Sequence, residues 1–326
     1  MELRVLRYFL AVAREENITK AAALLHVTQP TLSRQLMQLE EELGVKLFHR
    51  SQYRVILTDD GMLLRRRAQE IVELADKAEK ELRHSETELT GEIAIGCGES
   101  VAMTFLSQHI KAFRQLHPQV QFRIHSANAD DIKEHMEKGL LDMGLLTEPV
   151  DIGRYAFLRT PKKDRWGILI PEDHPLAKKT GVTPKDLTSV PLIMSGREIV
   201  IHELASWFGD LFAQVEIVAT FNLVLNAANM VKNGLGAATC FDLDYSYHSL
   251  TFVPFSPTLE SGTVLAWKKD QISSPAAEQF LNFIKNADQA FLISQNRHST
   301  YCGNRYTIQT AERLSVFFAM RRITKN

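Results

Sequence analysis

The stretch Thr28-Gln29-Pro30-Thr31-Leu32-Ser33-Arg34-Gln35-Leu36 decides the fold of the N-terminal part. Thr28 suits a helix N-cap, and Pro30 falls in the first turn, where a missing N–H costs nothing. Leu32, Leu36, Leu39 and Leu43 step by 4, 3 and 4 and predict a buried stripe. The opposite face carries Gln29, Ser33 and Met37, flanked by Pro30, Arg34 and Gln38. Gly44 is placed to end the helix with a left-handed residue.

Working upstream, Leu3, Leu6, Leu10 and Ala13 share one face of a first helix, and Asn17-Ile18-Thr19 breaks it. Thr19 is expected to cap a short helix over residues 20–25, with Ala21 and Ala22 permitting close approach. His26-Val27 then makes a tight turn; histidine tolerates a positive φ better than most residues. Two short helices joined this way form a helix-turn-helix. Downstream, residues 45–50 and 54–57 flank Ser51-Gln52-Tyr53 and read as a β-hairpin, a wing. The head is therefore placed at 1–57.

A recognition helix sets side chains of its N-terminal half against base edges in the major groove. Gln29 matches adenine bidentately, and Ser33 can bond several bases. Pro30 and Thr31 offer apolar contact to a thymine methyl. Arg34 reaches guanine or a phosphate; one turn further along the helix, phosphate is the favoured partner. Arg50 and Arg54 flank the wing tip and suit the DNA backbone or minor groove. Residues 1–67 hold eleven Lys and Arg against eight Asp and Glu, so local placement must carry the electrostatics.

Residues 58–89 read as one long helix, capped by Thr58, with Asp59 and Asp60 at the positive end of its dipole. Leu64, Ala68, Ile71, Ala75, Ala78 and Leu82 form a heptad-like seam. At 1.5 Å per residue the helix is roughly 45 Å long and overhangs a small domain. Self-association along the seam is its expected use.

From 91 to 294 strands alternate with helices, which argues for parallel sheet and an α/β fold. Strands are expected over 91–96, 120–125, 141–146, 165–170 and 191–194, with helices over 101–116 and 131–138. Residues 262–268 are expected to cross back to the first lobe, and 276–292 to complete it with Phe280, Ile284, Ala287 and Phe291 inward. Ligands in such folds gather beyond the carboxyl ends of strands, at helix N-termini. Ser100, Asn128 and Thr147 follow strands in this way, and Ser195 ends another. No motif sets a general base beside the first three.

The 326 residues suggest about two domains. A net charge of −1 excludes a histone-like or polyanionic chain. Cys97, Cys240 and Cys302 lie too far apart for a disulfide framework or a zinc spacing, which favours a reducing cytoplasm. No apolar run reaches the roughly 18 residues of a membrane span. The apolar start is read as a helix rather than a secretion signal, because Arg14-Glu15-Glu16 stands where cleavage would fall. No cofactor, metal site or catalytic residue is expected.

The series Leu6-Arg7-Tyr8-Phe9, Ala21-Ala22, residues 25–36, Leu39-Glu40-Glu41-Glu42-Leu43-Gly44, Leu47-Phe48-His49-Arg50 and Leu57-Thr58-Asp59-Asp60-Gly61 closely resembles a LysR-type transcriptional regulator. The resemblance runs to about residue 294. It implies a winged helix-turn-helix, a linker and dimerisation helix, and a two-lobed periplasmic-binding-protein-like sensor. The lobes would span about 91–161 with 266–294, and 162–265. His174-Pro175-Leu176-Ala177 and residues 231–237 look like the family's turn and glycine-rich helix end. Double-stranded DNA, a small-molecule effector and a second or fourth copy of the chain are the implied partners, with no membrane.

The resemblance also implies effector contact at Ser100, Asn128, Thr147 and Ser195. Ser100 serves equally as a plain helix cap. Arg197 either favours an anionic effector or is simply solvated. Some relatives sense oxidants through cysteines; Cys97 and Cys240 read instead as buried structural thiols. The basic tail, 295–326, departs from the family and either docks on its own chain or a dimer mate, touches DNA, or is an extension of little role. Two rivals stand beside this reading. An α/β enzyme would show Gly-x-Ser-x-Gly, His-Glu-x-x-His, a P-loop or a dinucleotide glycine pattern, and none is found. A transporter's solute-binding protein would not carry a winged head.

Overall fold

The computed structural model describes residues 1–50, 54–82, 89–269 and 274–298. It divides into two compact units, Met1–Phe280 and Leu281–Asn326.

The chain opens with α1 (Leu3–Glu15), α2 (Ile18–Leu24) and α3 (Gln29–Leu43). β1 (Phe48–Arg50) and β2 (Val55–Leu57) then pair antiparallel as the wing, with Phe48 opposite Leu57. α4 (Asp59–Leu82) follows. The turn before α3 has His26 at φ 54°, and Gly44 ends α3 at φ 69°, both as expected. Two caps differ. α2 starts at Ile18 because Asn17, not Thr19, accepts the Lys20 N–H at 2.9 Å. Thr28 has the extended backbone of a cap, yet its hydroxyl meets the Thr31 hydroxyl at 2.8 Å instead of a backbone N–H.

Phe9, Leu6, Val12, Leu32, Leu36, Leu39 and Leu47 are fully buried and form the head's core. The buried stripe of α1 is Val5, Leu6, Phe9 and Val12, rotated from the expected one, with Leu3, Leu10 and Ala13 at its margin. Leu43 of the expected α3 stripe is exposed. Glu40 is buried in that helix instead.

α4 begins as expected: Thr58 Oγ1 accepts the Gly61 N–H at 3.0 Å and donates to the Lys46 carbonyl at 2.6 Å. A Cβ on Gly61 would lie 2.1 Å from the Leu47 carbonyl oxygen, so only glycine lets α4 pass the wing this closely. The expected seam splits. Leu64 and Ala68 pack on the chain's own head, joined by Val72, while Ile71 and Ala78 face outward and Ala75 is half-buried. The Leu82 side chain is outside the described ones. Leu63 and Leu74, absent from the sequence reading, are exposed large apolar residues on this helix.

The first lobe holds β3 (Gly91–Cys97), α5 (Ala102–Leu116), β4 (Val120–Ser126), α6 (Ala129–Glu137), β5 (Met143–Thr147) and β6 (Tyr155–Arg159). The second holds β7 (Asp164–Pro171), α7 (Pro184–Leu187), β8 (Leu192–Ser195), α8 (Glu198–Phe208), β9 (Ile217–Phe221), α9 (Val224–Lys232), β10 (Ala237–Phe241), β11 (Leu250–Pro254) and the short β12 (Glu260–Ser261). β13 (Thr263–Lys268) returns to the first lobe, and α10 (Pro275–His298) follows. The first sheet runs β4-β3-β5-β13-β6, with β3 parallel to β4 and β5 and β13 antiparallel to both its neighbours. The second runs β11-β7-β10-β8-β9, with β12 on β7. The chain thus crosses between lobes twice, after β6 and before β13. α6 starts two residues before its expected position because Asn128 caps it. Phe280 is buried against Phe113 and Phe122, with ring centroids 5.1 and 4.9 Å away. The Phe291 side chain and the tail from residue 299 are outside the described residues.

The expected turn at His174 holds: its Nδ1 accepts the Leu176 N–H at 3.2 Å and starts a short 3-10 helix, Pro175–Lys178. At the glycine-rich helix end, Gly236 has φ 154°, and a Cβ there would meet the Pro191 carbonyl oxygen at 2.2 Å. Ion pairs tie the middle and C-terminal half of α4 to the head and to the first lobe. Arg7 of α1 pairs with Asp76. Lys77 Nζ donates to Asp142 Oδ1 and the Gly139 carbonyl, each at 2.9 Å, and Asp142 Oδ2 accepts the Ala94 N–H at 2.7 Å. Lys138 pairs with Glu70 at 2.8 Å. The long helix is thereby joined to the first lobe.

Candidate functional site

Two sites carry chemistry. The first is the outer edge of α3. Gln29, Pro30, Thr31 and Arg34 are exposed and Ser33 is half-buried, while Leu32, Leu36 and Leu39 hold the other side in the core. Gln29 Nε2 donates to Ser33 Oγ at 3.1 Å, so the two polar groups lie one turn apart on one face. Arg54 is exposed beside β2. Arg50 belongs to β1, and its side chain is outside the described ones.

Glu40 supports this edge from behind, and the sequence reading missed it. Its Oε1 accepts the N–H groups of Leu47 and Phe48 at 2.9 and 3.2 Å, and Oε2 meets Lys46 Nζ at 3.2 Å. Burial alone would raise its carboxyl, but these hydrogen bonds hold it below the usual range. The recognition helix and the wing are thereby fastened by one buried acid.

The second site is a cleft of about 100 Å³ between the lobes. Asn128, Thr147 and Ser195 all line it, so three of the four expected residues come together. Ser100 does not line it. Its hydroxyl donates to Asp164 Oδ2 at 2.7 Å and accepts the Ala102 N–H at 3.0 Å. Asp164 also takes the Val101 N–H at 2.8 Å and the Thr263 hydroxyl at 2.9 Å. The donors at the start of α5 are met by this fully buried carboxylate, which leaves no place there for an incoming anion.

Side chains also meet backbone donors where α6 and α9 start, and just before α8. Asn128 Oδ1 accepts the N–H groups of Asp130 and Asp131 at 2.9 and 3.0 Å. Ser195 Oγ accepts the Arg197 N–H at 3.3 Å. Glu99, at the end of the first lobe's leading strand, reaches across to accept the Val224 N–H at the start of α9. Burial pushes its carboxyl above the usual range, with the Val224 bond opposing.

Arg197 is neither solvated nor open. Its guanidinium donates to both oxygens of Asp130, at 2.9 and 3.3 Å, and to the Pro149 carbonyl at 3.3 Å. Asp130 belongs to the first lobe and Arg197 to the second, so this pair and Glu99–Val224 clasp the lobes together. The Arg197 hydrogen bond keeps the Asp130 carboxyl below its ordinary range.

Thr239 of β10 lines the cleft and is fully buried. Its Oγ1 is the one buried side-chain polar atom without a hydrogen-bond partner among the described residues. A single threonine in an apolar strand gives no sequence signal of this kind. Cys97 and Cys240 are buried free thiols, pushed up to about 12 by burial, which disfavours the reactive thiolate. Cys302 lies outside the described residues.

A winged helix-turn-helix with an exposed polar recognition edge, joined by a long helix to two α/β lobes around a cleft, defines a DNA-binding protein with a ligand-sensing half. Comparison with known proteins agrees. Residues 3–62 match the family described as bacterial regulatory helix-turn-helix protein, lysR family, and residues 86–289 match the LysR substrate binding domain. The Hca operon transcriptional activator HcaR of Escherichia coli is 30% identical over 292 residues, covering 87% of this chain and 97% of that protein. The regulator AlsR of Bacillus subtilis is 29% identical over 300 residues, covering 89% and 97%. The solved structure of CbnR complexed with its target DNA shares the fold at TM-score 0.69 and 20% identity, covering 88% of this chain and 99% of that one. HinK of Pseudomonas aeruginosa gives TM-score 0.51 at 26% identity, with 88% and 98% covered.

The chain belongs to the LysR family. It is a DNA-binding transcriptional regulator with an effector-binding domain. Among the described residues, no helix is long and apolar enough to cross a membrane.

Proposed function

We propose that an effector bound in the interlobe cleft sets the arrangement of the two lobes and so controls how the winged head at 1–57 meets DNA. The observation that carries this is the cleft itself: its walls come from both lobes, and the Arg197–Asp130 clasp bridges them at its edge. A ligand there moves the lobe equilibrium only by its differential affinity for the two arrangements. Asn128, Thr147, Ser195 and Thr239 are the contacts assigned to it. Gln29, Pro30, Thr31 and Ser33 read bases, and Arg34, Arg50 and Arg54 hold the backbone.

The outward row of α4, with Ile71, Leu74 and Ala78, pairs with a second copy and doubles the reading heads. The linker of 58–89, the sensor of 91–294 and the extension of 295–326 complete the division of labour. The protein works by binding rather than turnover, in keeping with the regulator family it belongs to. Its place is the cytoplasm, with the DNA.

The test is a charge exchange at the clasp. Arg197→Asp opens it, and the operator affinity of the full-length protein should shift by about 5–150-fold, the usual span of an allosteric coupling. Adding Asp130→Arg restores the pair in reverse and should restore affinity. Operator binding unmoved by Arg197→Asp, in a protein of unchanged melting temperature, refutes the control of DNA by the lobes.

A further inference from the structure

We propose that the cleft takes a small organic cation, a protonated amine on a compact apolar body, with Glu99 as its counter-ion and the Thr239 hydroxyl as a second polar partner. This rests on reading the cleft as the effector site.

The cleft is poorly built for an anion. Helix N-termini are the natural anion sites of such folds, because their N–H groups are free and their dipole is positive. Here α6 and α9 start at the cleft, and each already has a side-chain acceptor, Asn128 on α6 and Glu99 on α9, while at α8 Ser195 takes only the N–H of Arg197, the residue before the helix. The cap on α9 is itself a carboxylate, so an incoming anion meets like charge where the dipole should welcome it. Arg197 is the one cationic side chain in the lining among the described residues, and its charge is paired with Asp130, with Pro149 taking a further N–H.

The cleft is well built for a cation. Glu148, the other glutamate of the lining, is paired with Arg159 at 2.8 Å. Glu99 has no such partner: among the described residues, its one hydrogen bond comes from a neutral backbone N–H, and no Lys, Arg or His pairs with it. A half-buried carboxylate without a counter-ion is unfavourable, and a cation that pairs with it recovers that cost. Thr239 adds a fully buried hydroxyl with nothing to bond, a second group waiting for a polar ligand atom. Trp166, Phe221 and Phe241 give the lining the aromatic walls that suit an apolar body and a cation. A volume of about 100 Å³ keeps that body small.

The experiment is calorimetric titration of the full-length protein with three probes of one shape: benzylamine, benzyl alcohol and benzoate. Benzylamine should bind saturably and at least tenfold more tightly than either of the others. Glu99→Gln keeps an acceptor for the Val224 N–H while removing the charge, and should weaken benzylamine at least tenfold without improving the alcohol. Thr239→Val should weaken it severalfold. Benzoate binding as tightly as benzylamine, an alcohol binding equally well, or none of the three binding, each overturns the proposal. If Glu99→Gln melts early, the wild-type ranking of the probes decides by itself.

Operator affinity measured with each saturating probe separates this proposal from the reading beneath it. Benzoate binding that is lost in Thr239→Val yet changes operator affinity leaves the cleft as effector site and removes the charge assignment. Benzylamine binding that needs Glu99 but leaves operator affinity unchanged keeps the charge assignment and removes the effector role.

Discussion

Replacing Glu40 by alanine should loosen the wing from the recognition helix while the sensor stays folded. The side chain is 2% exposed and serves two backbone donors, Leu47 N–H and Phe48 N–H. Each buried donor left without an acceptor costs about 1–3 kcal/mol, so truncation should cost about 2–6 kcal/mol. The Lys46 contact adds little, because that lysine is 77% exposed and screened by water. Set against a total of about 5–15 kcal/mol for a typical domain, this is a large loss. Glu40→Gln keeps one good acceptor and should lose roughly half as much.

The assay exploits the placement of Trp166, Trp207 and Trp267, all in the sensor half. Tryptophan fluorescence during urea unfolding reports the sensor and should be unchanged. Hydrogen exchange at the Leu47 and Phe48 amides reports the wing and should accelerate, with operator affinity falling alongside. The pH dependence has a definite sign. Glu40's carboxyl is lower in the folded state than in the unfolded one, so its contribution is full above the unfolded carboxyl's value of about 4.3 and lost as pH falls through the folded value. The gap between wild type and Glu40→Ala should therefore narrow in acid. Leu47 and Phe48 amides as protected in the alanine variant as in wild type would refute the reasoning.

Gln29→Ala and Ser33→Ala should each cost about 1–3 kcal/mol on the specific operator and little on random DNA, whereas Arg34→Ala should weaken both and reduce the salt slope by about one, as read by anisotropy titrations at several salt concentrations. Leu74→Asp should yield smaller particles by light scattering with the head still folded, whereas Ala68→Asp should unfold the head; an unchanged particle size for Leu74→Asp removes the outward row from the chain-pairing surface. Asp142→Ala leaves Lys77 without its carboxylate and the Ala94 N–H without an acceptor, and should destabilise the join between α4 and the first lobe by about 3–5 kcal/mol, seen as faster hydrogen exchange at Ala94.

What the sequence shows in advance is what is decided locally. The positive φ at His26, the stop at Gly44, the Thr58 cap and the turn at His174 each depend on a few neighbouring residues, and each appears in the structure. Asn128, Thr147 and Ser195 were legible as cleft residues because strand-to-helix transitions mark one end of an α/β sheet. Ser100 looks the same in sequence. Its hydroxyl turns away because Asp164, 64 positions on, folds back against it. Glu99 was illegible for the same reason, its partner lying 125 positions on, whereas Glu40 reaches N–H groups only seven and eight positions on, past the end of α3, where no helix spacing rule pairs them. Periodicity found an apolar row on α4 but could not divide it between the chain's own head and a partner, since a 3-4 pattern fits both surfaces.

The insertion of β13 between β5 and β6 has a consequence for synthesis on the ribosome. The head closes over its own first seventy or so residues, and the second lobe's main sheet is built wholly from residues 164–254. The first lobe, begun earlier, cannot complete its sheet until Thr263–Lys268 has emerged. At about 5–20 residues per second, that strand arrives on the order of 5–20 s after β6. During this interval β5 and β6 lack the neighbour that both require, and their exposed edges are open to wrong pairing. Nascent chains halted shortly before residue 263 should therefore be the species most in need of a chaperone, although the DNA-reading head they carry is already formed.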